Sequence, residues 1–333
     1  MRPTPAVPGR DRILVLKLGA LGDFVQAFAG FEAIRTAHPD AELTLLTTPP
    51  FADLARASGL FHHIETDGRP ASLADELKML LRLRGRRYRR VYDLQTSSRS
   101  RLYFYAFLPN PPQWSGISRG ASHPQRRPDR DALHNLDRIA DQLHDAGIAP
   151  AYPPGEAPAP DLGWAARDPQ GALRRFGLAR PFALLAPGAS QVKVEKFWLP
   201  ERYAALAGRL AEAGLAVALV GGPAEVEACE GIARDVPGVV SLAGRTSLLD
   251  LAALGAQAAL AVGNDSGPTH LMAYAGAPGL MLMSRVTDPD HCAPRAKMGW
   301  LKRDDLADLS VDEVFDALRP IIVGAIASRL ERP

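Results

Sequence analysis

Short apolar runs of strand length recur along this chain, each followed by a polar loop and an amphipathic stretch of helical length. That alternation constrains the fold more than any other feature. A strand, a helix and another strand in that order connect most simply as a right-handed parallel unit, so a long series predicts parallel sheets covered by helices. The expected strands are Ile13–Leu18, Leu43–Thr47, Val91–Leu94, Trp114–Ile117, Phe182–Leu185, Ala216–Val220, Val239–Leu242, Leu260–Val262 and Gly279–Met283. Helices are expected over Phe24–Ala37, Ser72–Arg84, Ala132–Ala146, Pro200–Ala213, Glu225–Arg234, Leu248–Gly255, Pro268–Ala275 and Val311–Arg329.

The alternation is interrupted once. Residues 149–160 (APAYPPGEAPAP) hold five prolines and no periodic apolar face, which is the composition of a semi-rigid linker. With 333 residues, two α/β domains are expected. The divisions are a disordered tail over 1–11, an N-terminal domain over 12–148 and a linker over 149–180. A C-terminal domain over 181–310 and a last helix within 311–333 complete the chain. The first dozen residues carry three prolines and no apolar segment of the kind a signal peptide needs. Two distant cysteines, Cys229 and Cys292, form neither a disulfide framework nor a zinc motif, which fits a reducing cytoplasm. Residues 1–150 carry 21 Lys and Arg against 16 Asp and Glu, and the remainder carries 18 against 21. The N-terminal half is therefore the expected partner for an anionic ligand.

In parallel sheets of this type ligands bind beyond the carboxyl ends of strands, and the informative loops lie there. Gly263-Asn264-Asp265-Ser266-Gly267-Pro268-Thr269-His270 leaves a strand and opens a helix. Free N–H groups and the positive end of the helix dipole suit a phosphate at such a point. Gly19-Ala20-Leu21-Gly22-Asp23 occupies the matching place in the first domain, where Asp23 reads equally well as a helix-start acid or as a general base. Lys196, ahead of the helix at Pro200, reads as a solvated lysine beside a packing Trp198 or as a group to neutralise a diphosphate, and Glu225 as one to accept from ribose hydroxyls or to stabilise its helix start. The run Arg82, Arg84, Arg86, Arg87, Arg89, Arg90 suits an anionic membrane or a phosphate-rich acceptor. Only Tyr88 interleaves it, so nucleic acid is not the expected partner.

The ordered set of segments resembles glycosyltransferase family 9, the ADP-heptose:lipopolysaccharide heptosyltransferases, over most of residues 12–295. Its carriers are ILVLKLGALGDFVQ (13–26), YDLQTSSRS (92–100), APGAS (186–190), KFWLPERYAALA (196–207), LVGGPAE (219–225), LAGRTSLLDLAAL (242–254), GNDSGPTHLMAYAG (263–276) and TDPD (287–290). The resemblance implies a GT-B fold: two Rossmann-like, doubly wound parallel-sheet domains facing a cleft, with the C-terminal helix packing back toward the N-terminal domain. It implies inverting, metal-independent transfer of a sugar, with ADP-heptose the favoured donor and no separate cofactor. The implied acceptor is an anionic, lipid-linked saccharide at the inner face of the cytoplasmic membrane, which the enzyme would meet peripherally.

Carried onto this sequence, the resemblance makes Asp23 the general base and Lys196 the diphosphate contact, with Lys193 a rival for the latter. It gives Ser190, Glu225, Leu242, Gly244, Asn264, Asp265, Ser266, Gly267 and His270 to the donor, and Lys17, Gly22, Gln95 and Arg99 to the acceptor. The family usually has hydroxyl residues where this chain has Gly19-Ala20. Two other activities fit a GT-B chain: a sugar-nucleotide epimerase, which needs no acceptor, and a non-catalytic sugar-nucleotide-binding protein. A nicotinamide dehydrogenase is disfavoured by the absence of GxGxxG.

Overall fold

The computed structural model describes residues 10–188 and 194–330. The chain forms two compact units. The first runs up to Ala20 and resumes over Gln26–Pro158; the second comprises Leu21–Val25 and everything from Ala159 onward.

The first unit is built on strands β1 (Arg12–Leu16), β2 (Glu42–Leu46), β3 (His63–Glu65), β4 (Arg90–Asp93), β5 (Gln113–Gly116) and β6 (His123–Pro124). They pair in the order β3-β2-β1-β4-β5-β6, all parallel, with Val15 of β1 opposite Leu45 on one side and Tyr92 on the other. Ile13, Leu14, Val15 and Leu16 are all buried, because helices cover both faces of the sheet and no strand side faces water. Leu14, Leu16, Val91 and Trp114 pack with Met79, Leu83, Tyr103 and Phe104 from helices on one face.

The second unit repeats the plan with β7 (Phe182–Ala186), β8 (Ala216–Leu219), β9 (Val239–Ser241), β10 (Leu260–Asn264), β11 (Gly279–Met283) and β12 (Met298–Lys302). Their order is β12-β11-β10-β7-β8-β9, again fully parallel. Both sheets thus reverse winding direction next to their first strand: between β1 and β4, and between β7 and β10. A crevice opens at such a point because the flanking loops leave toward opposite faces.

Helix boundaries differ from expectation where local chemistry intervenes. The single helix expected over Phe24–Ala37 is two, Leu21–Gln26 and Phe28–Ala37. Ser98–Ala106 is helical although it lacks an obvious apolar period; a reciprocal capping box between Ser97 and Ser100 starts it. The stretch expected as linker contains the helix Pro169–Phe176, with Asp168 capping Gly171 N–H and Pro169 at the first position. The last helix, Val311–Leu330, was expected to return toward the first domain. Its buried side chains Val314, Leu318 and Ile322 belong to the second unit's core, beside Trp198, Tyr203, Leu206 and Leu282.

Candidate active site

The site grows from the end of β10. Asn264 is fully buried, and its amide is engaged on both sides. Its oxygen accepts from Trp198 N–H (3.1 Å) and from the Tyr203 hydroxyl (3.0 Å), and its nitrogen donates to the Pro187 carbonyl (2.6 Å). One side chain therefore fastens three segments: the end of β7, the loop carrying Lys196, and the helix Pro200–Glu212. Expected to touch the donor, Asn264 is fully buried, and its side chain braces these segments. Trp198 anchors the same loop by donating Nε1 to Leu309 O (2.8 Å) and stacking edge-on with Tyr203 at 4.9 Å.

Asp265 follows and is almost fully buried. One carboxylate oxygen accepts from the Lys196 ammonium and from the Thr287 hydroxyl (2.7 Å), and the other lies 3.6 Å from His270 Nε2. Burial alone would raise this carboxyl, but the His270 and Lys196 hydrogen bonds and charges outweigh it and hold Asp265 far below the usual carboxylate range. Asp265 is thus a fixed anion that orients two cationic or donating groups. Expected at the donor phosphates, Asp265 has its carboxylate turned onto Lys196, Thr287 and His270.

Next, Ser266 stands at the N-cap position of the helix Gly267–Tyr274, with no hydrogen bond from the helix start to its side chain. Its hydroxyl meets Thr269 Oγ1 (3.1 Å), which in turn donates to Asn264 O (2.7 Å). The N–H groups of Gly267 and Thr269 lie in the first turn and have no intrahelical acceptor, and Pro268 has no N–H. His270, one turn in, is buried, and its Nδ1 has no hydrogen-bond partner among the described residues.

Leu21–Val25 packs with this unit, so Asp23 is carried by it and not by the first unit. A Cβ on Gly22 would lie 2.7 Å from His270 Cδ2, so only glycine permits this approach. Asp23 is exposed in the first turn of Leu21–Gln26, whereas Phe24 and Val25 beside it are buried. The Cys292 thiol, pushed up to about 12 by burial and then by Asp265, also feels the charges of Lys196 and Asp23. These four side chains share one electrostatic neighbourhood.

Glu225 lies against the loop after β7: a Cβ on Gly188 would stand 2.5 Å from its Cγ. One of its oxygens accepts Gly222 N–H (2.7 Å), which leaves the other free to accept among the described residues. Leu242 is buried with its N–H given to Leu219 O (2.8 Å) and its carbonyl to Arg245 N–H (3.0 Å). Exposed Gly244 therefore marks the open part of that segment. Ser190 and Lys193 lie outside the described residues.

The acceptor candidates are not gathered together. Lys17 is buried and donates to Leu94 O (3.1 Å), and Gln95 accepts Leu18 N–H (2.8 Å); both tie the ends of β1 and β4 together. Arg99 lies on the outer helix Ser98–Ala106, 3.7 Å from Glu76, and Gly22 sits beside His270. Two residues of the neighbourhood went unselected from sequence, Thr287 and Cys292. Thr287 stood in a quoted segment, TDPD, but only tertiary packing reveals that its hydroxyl meets Asp265.

Comparison with known proteins identifies the family and the fold. The family model described as glycosyltransferase family 9 (heptosyltransferase) matches residues 77–303. The lipopolysaccharide core heptosyltransferase OpsX of Haemophilus influenzae is 24% identical over 282 residues, covering 80% of this chain and 77% of that protein. Among solved structures, E. coli ADP-heptose lps heptosyltransferase II superposes with a TM-score of 0.79 at 23% identity, covering 94% of this chain and 99% of the other. A glycosyl transferase family 9 protein of Veillonella parvula gives 0.79 at 19% identity, covering 94% and 97%.

Proposed function

Because the chain belongs to glycosyltransferase family 9, a family of GT-B enzymes, we propose that it transfers heptose from ADP-heptose to a lipopolysaccharide-core saccharide, with inversion and without a metal. The observation that carries the proposal is Asp265, which holds Lys196 and His270 at the first turn of the helix Gly267–Tyr274, with exposed Asp23 in the same field. The relatives named as heptosyltransferases support the choice of sugar.

In this mechanism the donor diphosphate sits at the Gly267–Thr269 N–H groups, Ser266 and Lys196, and Glu225 accepts from the ribose. The adenine lies along the open edge near Gly244. The acceptor hydroxyl attacks the anomeric carbon from the face opposite the diphosphate and gives its proton to Asp23. The bond from that carbon to the diphosphate oxygen breaks with its electron pair, and the growing negative charge meets Lys196 and the helix dipole. Each such donor contributes about 3 kcal/mol to the transition state. The acceptor is a lipid-linked saccharide, which sets the enzyme at the inner face of the cytoplasmic membrane.

The test incubates the protein with ADP-heptose, a heptose-free core acceptor and a chelator, then follows ADP release and the anomeric configuration of the product by NMR. Acceptor-dependent ADP release with inverted product is expected. Conversion of the donor without acceptor would instead identify an epimerase, and loss of activity with the chelator would refute the metal-free step.

A further inference from the structure

The helix Leu73–Gly85 turns one apolar face inward and a second outward. Met79 and Leu83 are buried in the first unit's core, yet Leu73, Leu77 and Leu81, spaced four apart, are 86%, 58% and 60% exposed. The neighbouring helix Ser98–Ala106 behaves alike: Tyr103 and Phe104 are buried, while Leu102, Tyr105 and the following Leu108 are exposed. Eleven large hydrophobic residues are exposed among the described residues, and these six account for more than half of them. Clustering of that kind marks an interaction surface, whereas single exposed leucines do not.

The two helices lie side by side, so their outer faces form one surface. Arg84 donates to the carbonyls of Ala106 (2.8 Å) and Leu108 (2.6 Å), and Arg99 reaches Glu76 at 3.7 Å. Contacts at both ends fix the helices in parallel register, and Leu77, Leu81 and Leu102 are each exposed.

The charges around this surface are mostly basic. Residues 69–108 hold ten Lys and Arg against three Asp and Glu, and one of the three, Asp93, is fully buried. Lys78 and Arg101 are exposed at the margins of the apolar face, and Arg101 has no partner among the described residues. An apolar stripe rimmed by long basic side chains is the composition of a helix pair that lies in a bilayer surface, with leucines in the acyl boundary and cations at the headgroups. No described helix is long and apolar enough to cross the bilayer.

We propose that the outer face of helices Leu73–Gly85 and Ser98–Ala106 docks the enzyme on an anionic phospholipid bilayer. This deepens the proposed function and rests on it for its purpose, since a lipid-linked acceptor lies at that surface. The docking itself is a physical property of the face and is measured with neither donor nor acceptor present.

The experiment is sedimentation of the full chain with vesicles of phosphatidylcholine alone or enriched in phosphatidylglycerol. Wild type should bind the anionic vesicles, less so at high salt, and stay in solution with the neutral ones. The doubly substituted Leu77→Ser/Leu81→Ser variant should bind at least about tenfold more weakly, with unchanged melting temperature and ADP affinity. Arg101→Glu should weaken binding in proportion to the anionic fraction. Absence of wild-type binding, equal binding to neutral vesicles, or undiminished binding by the leucine variant would overturn the proposal. So would a wild-type dimer that becomes monomeric in that variant, because the face would then join two copies of the chain. A protein that binds vesicles but transfers no sugar refutes the heptosyltransferase reading and leaves this face standing.

Discussion

Replacing Lys196 with methionine probes the organisation of the site. The Lys196 side chain is 16% exposed and that of Asp265 8%, so their ion pair is nearly dry. Removing one member of a buried pair costs about 3 to 5 kcal/mol, since the other is left as an uncompensated charge. Thr287 still donates to Asp265 and His270 still lies near it, so the expected cost falls at the low end, about 3 kcal/mol. For a unit of this size that lowers the melting temperature by roughly 6 to 12 °C in calorimetry. Adding Asp265→Asn removes the stranded charge and should recover most of the loss. Activity should behave differently: the lysine is absent from both variants, and each should fall about 10²- to 10³-fold in kcat. The acid response has a definite sign. Asp265 is depressed in the folded state, so its stabilisation is complete above its ordinary pKa near 3.9 and is lost as pH falls below it. The Lys196→Met variant, with that depression weakened, should lose less stability on acidification than wild type. Equal melting temperatures for single and double variants would refute the coupling. Transfer within threefold of wild type in Lys196→Met would refute the charge-stabilising role.

Asp23→Ala should abolish transfer while ADP binds normally in calorimetry; retained turnover would remove Asp23 as the base. Asn264→Ala should cost about 3 kcal/mol in denaturant unfolding, because it leaves Trp198 N–H and Pro187 O without their partner and the Tyr203 hydroxyl with only the distant Ala186 carbonyl. A loss below about 1 kcal/mol would show that the brace is dispensable. Asp93 is fully buried, and burial raises its carboxyl from 3.8 to about 6 against hydrogen bonds from Thr96, Ser100 and Gln95. The neutral acid therefore stabilises the fold below pH about 4, and that contribution fades as pH rises through 6. Asp93→Asn should be the more stable protein above pH 6, by up to about 3 kcal/mol in thermal unfolding, and the two should converge in acid.

The sequence by itself determined the architecture of the sheets. Buried strands such as Leu14–Leu16 and Leu260–Val262 are continuous apolar runs, and the period of the helices between them is local information. The loop Gly263–His270 was legible too, because a strand exit followed by Ser, Gly and Pro is a helix-start signature whatever surrounds it. Strands β3, β6 and β12 were not, since His63–Glu65 and His123–Pro124 are short and lack an apolar pattern, and Met298–Lys302 is largely exposed. The helix Ser98–Ala106 depends on a capping box that fixes its start without an amphipathic period.

Roles within the site were decided by tertiary structure. Asn264, Asp265 and Ser266 are adjacent polar residues with the same apparent claim on a phosphate. Folding turns Asn264 inward to brace three segments and Asp265 onto Lys196, Thr287 and His270, and it leaves the helix start to Ser266 and Gly267. Likewise Leu77 and Leu83 lie in one expected helix, and only packing leaves the first in solvent and the second in the core. Local sequence fixes which groups a residue carries. Which of them remain free depends on partners that lie tens of residues away along the chain, and only the folded backbone brings those partners within hydrogen-bonding distance.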